Sequence, residues 1–515
     1  MPTGFRPQDA IDEVQVRWPA EVLPFLMEFA RIPNLSPNFD QNWEQAGHMD
    51  EAAELVARWA EARDITGATV EVVRLPGLTP AVLVEVPATD VDATGTVLIY
   101  GHFDKQPPFD GWSEGRGPWS PVVEGEWLYA RGVADDGYAL PSALCAIESL
   151  RATGGHHGRI VILAEGSEES GSPHLPEVLA HLDDRIGTPD LVLALDSGSP
   201  TYDRLWVTTS LRGLLLGTLT VRVLDHGVHS GAAGGSVPSS FRIARILLDR
   251  IEDVVTGDLR LPELQVDPPD WAVAAASDLA DALADADADT LADADADALA
   301  DADADTLADA DADADAARHT PGSDPSPFPV VDSLELEGGD TAERALRTAW
   351  RGALAVVGAD GLPPTAEAGS VLRPFTSLKL AIRLPPTCDA EVAAEAVARA
   401  FISDPPHGAE VTWDAQAAGG WAAAPLAPWL ADALDQASEL AFGQPSGRFG
   451  EGGSIPFMGW LAEQFPRAQI LATGVLGPGS NAHGPDEGLH LPTAERVTGV
   501  LALLLDAHAG RSQAG

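Results

Sequence analysis

The sequence predicts an α/β fold in which a mainly parallel sheet is interrupted by an inserted α+β domain. Four runs of apolar residues predict strands, at 81–86, 95–100, 159–164 and 190–195. The last three are apolar almost throughout, which is typical of parallel strands buried on both faces. Helical patterns at 51–64 and 138–152 alternate with these strands. Such alternation predicts a sheet with helices on both sides.

The middle of the chain has a different pattern. A strand at 215–224 alternates apolar and polar residues, as a half-exposed antiparallel strand does. With the following segments it gives the order β-α-β-β-α-β, at 215–224, 239–252, 353–357, 377–384, 389–401 and 409–413. This order is that of a ferredoxin-like domain.

An α/β pattern returns near the end of the chain, with a helix at 425–441 and a strand at 468–473. We therefore expect one α/β domain built from 1–205 and 417–515, with residues 206–416 forming the inserted domain.

Residues 278–316 are almost wholly Ala and Asp, with a period of eight residues, 15 Asp and no basic residue. Dense like charges repel, and the tract offers little to bury, so we expect a disordered insert. Calcium binding is one alternative, but the tract has no Gly for the turn of a calcium loop. A marginal helix driven by Ala is the other.

The charge excludes several classes of protein. The 79 acidic residues against 31 Lys plus Arg give a net charge of −48. A nucleic-acid binder needs a basic surface, and an anionic membrane repels such a protein. There is no apolar run of 18 residues and no secretory signal pattern at the N-terminus, while Cys145 and Cys388 form no paired motif. We expect a cytoplasmic protein with two inert thiols.

Ligand-type side chains follow the predicted buried strands. His102 and Asp104 follow the first, Glu168 and Glu169 follow the second, and Asp196 follows the third. In an open α/β sheet, ligands bind beyond the carboxyl ends of the strands. Adjacent carboxylates at such a site repel one another unless a cation is present.

Two further segments carry ligand-type residues. Asp135 and Asp136 form an acidic pair before a helix, and His483 lies in a loop rich in Gly and Pro. Each motif alone is also compatible with a turn, a cap or a solvated charge. Their joint occurrence favours a site for two neighbouring divalent ions.

The order of motifs GHFD, RGVADD, EGSEESGS, LDSG, HSGAAGG, IRLPP, EGGSIP and NAHGPDE resembles the superfamily of dizinc peptidases and amidohydrolases. This superfamily includes carnosinase-type dipeptidases, aminoacylase and succinyl-diaminopimelate desuccinylase. The resemblance covers nearly the whole chain outside the Asp/Ala tract. It implies a zinc-aminopeptidase-like catalytic domain with an inserted lid and dimerisation domain, and hence a homodimer.

The resemblance implies a role for each matching residue. Five residues would bind two metal ions: His102 and Asp196 the first, Glu169 and His483 the second, and Asp135 both. Asp104 would orient His102, and Glu168 would be the general base.

The matching positions outside this set would act on the substrate. His229 would stabilise the oxyanion, often in the partner subunit's site, and Arg383 would hold the terminal carboxylate. Ser454, with Ser370 as another candidate, would make further substrate contacts. Relatives usually read DDKG where this chain has Gly137 after Asp136.

The implied activity is hydrolysis of a dipeptide or short peptide by a metal-activated water, with Zn²⁺ expected and Mn²⁺ or Co²⁺ as alternatives. A deacylase of N-acyl amino acids uses the same chemistry and is the alternative. A non-catalytic binding protein is a third reading, which the retained Glu168 and the complete ligand set argue against.

Overall fold

The computed structural model describes residues 5–90, 95–300, 330–331, 333–453 and 456–511, without the side chains of 287–300 and 456. The helices are α1 (Pro7–Arg17), α2 (Leu23–Phe29), α3 (Trp43–Ala46), α4 (His48–Glu61), α5 (Ala139–Ala152), α6 (Leu175–Ile186), α7 (Ser230–Ala233), α8 (Ser240–Leu248), α9 (Asp270–Ala300), α10 (Thr341–Trp350), α11 (Ala390–Ile402), α12 (Pro428–Phe442), α13 (Pro456–Gln464) and α14 (Leu491–Gly510).

The strands are β1 (Thr69–Val73), β2 (Ala81–Val86), β3 (Thr96–His102), β4 (Val122–Glu124), β5 (Trp127–Tyr129), β6 (Arg159–Glu165), β7 (Leu191–Ala194), β8 (Trp206–Leu211), β9 (Gly213–Arg222), β10 (Val228–His229), β11 (Ala353–Asp360), β12 (Val371–Leu372), β13 (Phe375–Leu384), β14 (Glu410–Ala418), β15 (Trp421–Ala422), β16 (Gly447–Glu451), β17 (Gln469–Ala472) and β18 (Gly488–His490).

The larger sheet has nine strands in the order β1-β2-β6-β3-β7-β17-β8-β15, with β16 beside β8. Its centre is parallel, because β3 pairs in parallel with β6 and β7, and β7 with β17. Helices α1, α5 and α14 cover one face, while α6 and α13 cover the other. Strands β3, β6 and β7 are thus buried on both faces, as their apolar sequences predict.

The smaller main sheet is antiparallel, with the order β11-β13-β9-β14. Helices α8 and α11 pack on it through a core of their own. This is the ferredoxin-like arrangement that the sequence predicts. The predicted fold class, a mainly parallel α/β sheet with a ferredoxin-like insertion, is confirmed.

The described part of the Asp/Ala tract adopts the helix that the sequence left open as an alternative to disorder. Residues 278–300 of the Asp/Ala tract, predicted to be a disordered insert, continue helix α9, and 301–316 lie outside the described residues. The start of the tract packs on the larger sheet, where Leu279 and Ala282 contact Trp206 and Phe449. Burial of these two apolar side chains favours a helix over this first part of the tract.

Among the described residues, no helix is both long enough and apolar enough to cross a membrane.

Candidate metal centre

The parallel register of three strands brings the predicted ligands to one edge of the larger sheet. His102 ends β3 and pairs with Glu165, the last residue of β6. The loop after β6 carries Glu168 and Glu169, and Asp196 follows β7 by two residues. Because parallel strands end at a common edge, these side chains converge there.

Asp135 lies between two histidines that come from distant parts of the chain. Its Oδ1 is 3.1 Å from Nε2 of His102, and its Oδ2 is 3.0 Å from Nε2 of His483. Asp135 and His102 are buried, whereas just over half of the His483 side chain is exposed. One carboxylate thus faces two separate nitrogen donors, as a ligand shared by two cations would.

Two more carboxylates complete this cluster. Oε2 of Glu169 is 3.3 Å from Nε2 of His483, and Oδ2 of Asp196 is 3.8 Å from Nε2 of His102. The ligand atoms fall into two groups, each within 4.8 Å: His102 with Asp135 and Glu169, and His102 with Glu168 and Asp196. The second group places Glu168 beside the proposed ligands of the first ion.

Asp104 holds this part of the site together. Its carboxylate lies 3.3 Å from Nδ1 of His102, on the side of the ring opposite Asp135. The same carboxylate accepts hydrogen bonds of 3.0 Å from the backbone N–H groups of Glu168 and Glu169. A carboxylate in this position orients a metal-binding imidazole, and here it also fixes the loop that carries Glu168.

The protonation behaviour reflects crowded carboxylates. Burial raises the pKa of Glu168 well above its usual range, and the negative charge of Asp196 adds to this effect. Burial also raises the pKa of Asp196 to about 7. Although burial opposes ionisation of Asp135, hydrogen bonds from His102 and His483 hold its pKa below the usual range. A divalent cation would stabilise the ionised carboxylates of such a cluster.

The donor set fits divalent metal ions. It consists of imidazole nitrogens and carboxylate oxygens without a thiolate, which suits Zn²⁺ and also Mn²⁺ or Co²⁺. One oxygen of the neighbouring Asp136, Oδ1, is buried without a hydrogen-bond partner, while Oδ2 accepts from the backbone of His102. An uncompensated buried carboxylate oxygen is costly, and a nearby cation would reduce this cost.

A buried ion pair that the sequence did not reveal joins the two loops that carry Asp135 and His483. Nη1 of Arg131 donates to Oε2 of Glu487 over 2.6 Å, and both side chains are almost completely buried. Oε1 of Glu487 accepts from the backbone of Gly132, and Nη2 of Arg131 donates to the carbonyl of Gly484. Both residues stand within the motifs RGVADD and NAHGPDE, but only the fold shows that they meet.

Gly137, where relatives usually have Lys, adjoins the same loop. A Cβ atom here would lie 2.4 Å from the carbonyl oxygen of Gly132 and 2.5 Å from the ring of Phe29. The loop as folded here therefore leaves no room for a side chain at this position beside Phe29.

The remaining predicted residues lie elsewhere. His229 is exposed on β10, where its Nδ1 accepts from the backbone of Gly231, and Ser370 accepts a backbone hydrogen bond from Ser230. Arg383 lies on β13, and Ser454 is outside the described residues. Within the described part of the chain, no ion pair of the metal centre includes His229.

The sequence model of the family described as Peptidase family M20/M25/M40 matches residues 98–507 of this chain. A Cysteinylglycine-S-conjugate dipeptidase of Corynebacterium striatum is 25% identical over 495 residues, which make up 90% of this chain and 94% of that protein.

Two solved structures have a similar fold. The structure of the dipeptidase Dug1p from Saccharomyces cerevisiae has a TM-score of 0.72 and 19% identity, over 98% of this chain and 99% of that chain. The crystal structure of human carnosine dipeptidase 1 has a TM-score of 0.70 and 19% identity, over 98% of each chain.

Proposed function

This chain belongs to peptidase family M20/M25/M40, and we propose that it is a metal-dependent dipeptidase in which Glu168 is the general base. The main support for a metal-dependent enzyme is the position of Asp135, because one of its carboxylate oxygens faces His102 and the other faces His483. The Cysteinylglycine-S-conjugate dipeptidase that aligns with most of the chain supports a dipeptide as substrate.

The distances in the cluster support the metal-binding roles that the resemblance implies. His102 and Asp196 would hold one ion, and Glu169 and His483 would hold the second, with Asp135 shared between them. When bound, such ions polarise the scissile carbonyl and make a shared water more acidic.

In this proposal Glu168 moves the proton. It is half-buried beside the ligand cluster, and its backbone N–H donates a hydrogen bond to Asp104. Burial favours its neutral form, so that a proton taken from water can be passed on to the leaving amine nitrogen of the substrate. Asp104 cannot take this role as easily, because its two oxygens already accept hydrogen bonds from the loop.

The inserted domain supplies most of the substrate contacts in this proposal. His229 would stabilise the oxyanion, Arg383 would bind the terminal carboxylate, and Ser370 would add a contact. Ser454, from the last part of the α/β domain, would add another. His229 is exposed, and it takes no part in the ion pairs described above. This position supports a homodimer in which the inserted domain of one subunit serves the site of the other.

The test is a substrate panel with defined metals. The metal-free protein, confirmed by elemental analysis, should not hydrolyse Cys-Gly or carnosine, and Zn²⁺ or Mn²⁺ should restore hydrolysis of at least one dipeptide. Activity that survives complete metal removal would contradict the proposal. Hydrolysis of N-acetyl or N-succinyl amino acids alone would favour the deacylase instead.

A further inference from the structure

Glu451 is a largely buried carboxylate that has no role in the reaction described above. It is the last residue of β16, and it stands in the motif EGGSIP three positions before Ser454. Burial raises the pKa of Glu451 above its usual range. Within the described part of the chain, no basic side chain forms an ion pair with it. Because a buried carboxylate without a counter-charge is costly, this position favours the binding of a cation.

The strand pairing places Glu451 beyond the edge of the larger sheet where the proposed metal ligands lie. Strand β17 ends beside the end of β7, two residues before Asp196, and its last residue, Ala472, pairs with Thr208 in the middle of the antiparallel strand β8. Strand β8 therefore continues past this edge as far as Leu211, with which Glu451 pairs. Since β9 of the inserted domain begins two residues after Leu211, Glu451 lies at the junction between the proposed metal centre and the inserted domain.

Hydrogen bonds join Glu451 to the residue that follows Asp196. Oγ of Ser197 donates to Oε2 of Glu451 over 2.9 Å, and Oγ1 of Thr208 donates to the same oxygen over 3.4 Å. Burial, together with the negative charges of Asp135 and Glu451, raises the pKa of Asp196 to about 7. Glu451 is thus close enough to the proposed metal centre to interact with one of its carboxylates.

The chemistry of the substrate identifies the cation. Glu451 belongs to neither group of candidate metal ligands, so an organic cation is the expected partner. A dipeptide carries a free ammonium group close to its scissile bond, whereas an N-acyl amino acid has none. We propose that Glu451 binds the free α-ammonium group of a dipeptide and thereby selects dipeptides over N-acyl amino acids. This inference rests on the proposed function, because it concerns the substrate of the same site.

The position of the proposed contact for the other end of the substrate agrees with this role. Arg383 pairs with Leu214 on β9, whereas Glu451 pairs with Leu211. Leu211 and Leu214 are at most about 11 Å apart, because three residues of fully extended chain span no more than this. The proposed contacts for the two charged ends of a dipeptide therefore lie on neighbouring parts of the same junction.

The test compares Ala-Gly with propionylglycine, which has the same shape but lacks the amino group. Both are assayed with the full-length, metal-loaded protein, Ala-Gly as a substrate and propionylglycine as a substrate and as a competitive inhibitor. The unchanged protein should hydrolyse Ala-Gly with the higher kcat/KM. Glu451→Gln should lower kcat/KM for Ala-Gly about 10- to 100-fold, since it removes a charge-assisted hydrogen bond. The same variant should leave the inhibition constant of propionylglycine unchanged.

Two further variants separate substrate binding from a structural effect. Glu451→Asp keeps the carboxylate and should retain the preference for Ala-Gly. Glu148→Gln is the matched control, because Glu148 is another buried carboxylate, on α5, which accepts from the backbone N–H of Asp64. It should leave kcat/KM for both compounds unchanged. Elemental analysis should find the same metal content in all variants.

The outcomes distinguish this inference from the proposed function. A preference of the unchanged protein for propionylglycine would overturn both. A preference for Ala-Gly that persists in Glu451→Gln would overturn the inference alone. Loss of metal from Glu451→Gln, or equal weakening of Ala-Gly and propionylglycine, would also overturn it, because Glu451 would then support the centre as a whole.

Discussion

Oδ2 of Asp135 lies 3.0 Å from Nε2 of His483, although these residues belong to opposite parts of the chain. The buried pair of Arg131 and Glu487 joins the two loops at this point. We therefore expect Glu487 to act as a positioning residue for the proposed second metal ion, because its pair with Arg131 ties the loop of His483 to the loop of Asp135.

Glu487→Gln should therefore weaken the binding of one of the two metal ions. The amide keeps an acceptor but leaves the buried Arg131 without a counter-charge, which costs about 3 kcal/mol of stability. We expect the affinity for the weaker-bound ion to fall about 10- to 100-fold, as measured by calorimetric titration of the metal-free protein. Asp486→Asn is the control, because Asp486 binds Ser113 at the surface. Equal affinities in both variants would contradict the role of Glu487.

Glu168→Gln should leave the metal content unchanged and reduce kcat by about 10²- to 10⁴-fold, because the amide cannot accept a proton. Elemental analysis and steady-state kinetics on a dipeptide check this expectation. Glu177→Gln, an exposed change on α6, should have no effect. Loss of a metal equivalent from Glu168→Gln would instead identify Glu168 as a ligand, as its proximity to His102 and Asp196 allows.

His229→Ala should reduce kcat without changing the metal content, because His229 takes no part in the metal centre. If the two variant proteins, His229→Ala and Glu168→Gln, are mixed and allowed to exchange subunits, part of the lost activity should return. In a mixed dimer, one site combines an intact Glu168 from one subunit with an intact His229 from the other. The control is each variant taken alone through the same exchange procedure. If the mixture stays as inactive as the two variants, His229 does not act across a dimer.

Leu279→Ala should lower the free energy of unfolding by about 2 kcal/mol, because the Leu279 side chain on α9 is buried against the larger sheet. Urea denaturation followed by Trp fluorescence measures the effect. Val273→Ala is the matched control, since Val273 lies on the same helix and is 46% exposed. Similar small effects in both variants would show that α9 does not pack as described.

His157 should make stability depend on pH. Burial lowers its pKa to about 4, while an unfolded His has a pKa of about 6.5. Between pH 4 and pH 6.5 the unfolded chain binds more protons at this residue than the folded protein does. The contribution of His157 to the free energy of unfolding is therefore fully present above pH 6.5, and about 3 kcal/mol of it is lost as the pH falls towards 4. The His157→Asn variant should lose this part of the pH dependence in urea titrations. The control is His156→Asn, a change at the exposed neighbouring residue, which should retain the pH dependence of stability.

The sequence by itself determined the fold class, and it indicated most of the candidate metal centre. Strands β3, β6 and β7 are recognisable because burial on both faces makes them apolar throughout. Their ligands stand within a few residues of the strand ends, so local sequence and the rule for parallel sheets suffice to bring them together. His102, Glu169 and Asp196 are candidate ligands of this kind.

The tertiary structure decided what depends on distant partners. It placed Glu487 in contact with Arg131, and it placed Glu451 in contact with Ser197. Such contacts join segments that are far apart in the chain, and no local sequence pattern predicts that they meet. It also made 278–300 helical, against the expectation from charge repulsion. At the start of this helix, Leu279 and Ala282 are buried against Trp206 and Phe449, a contact that no local pattern in the Asp/Ala tract could reveal.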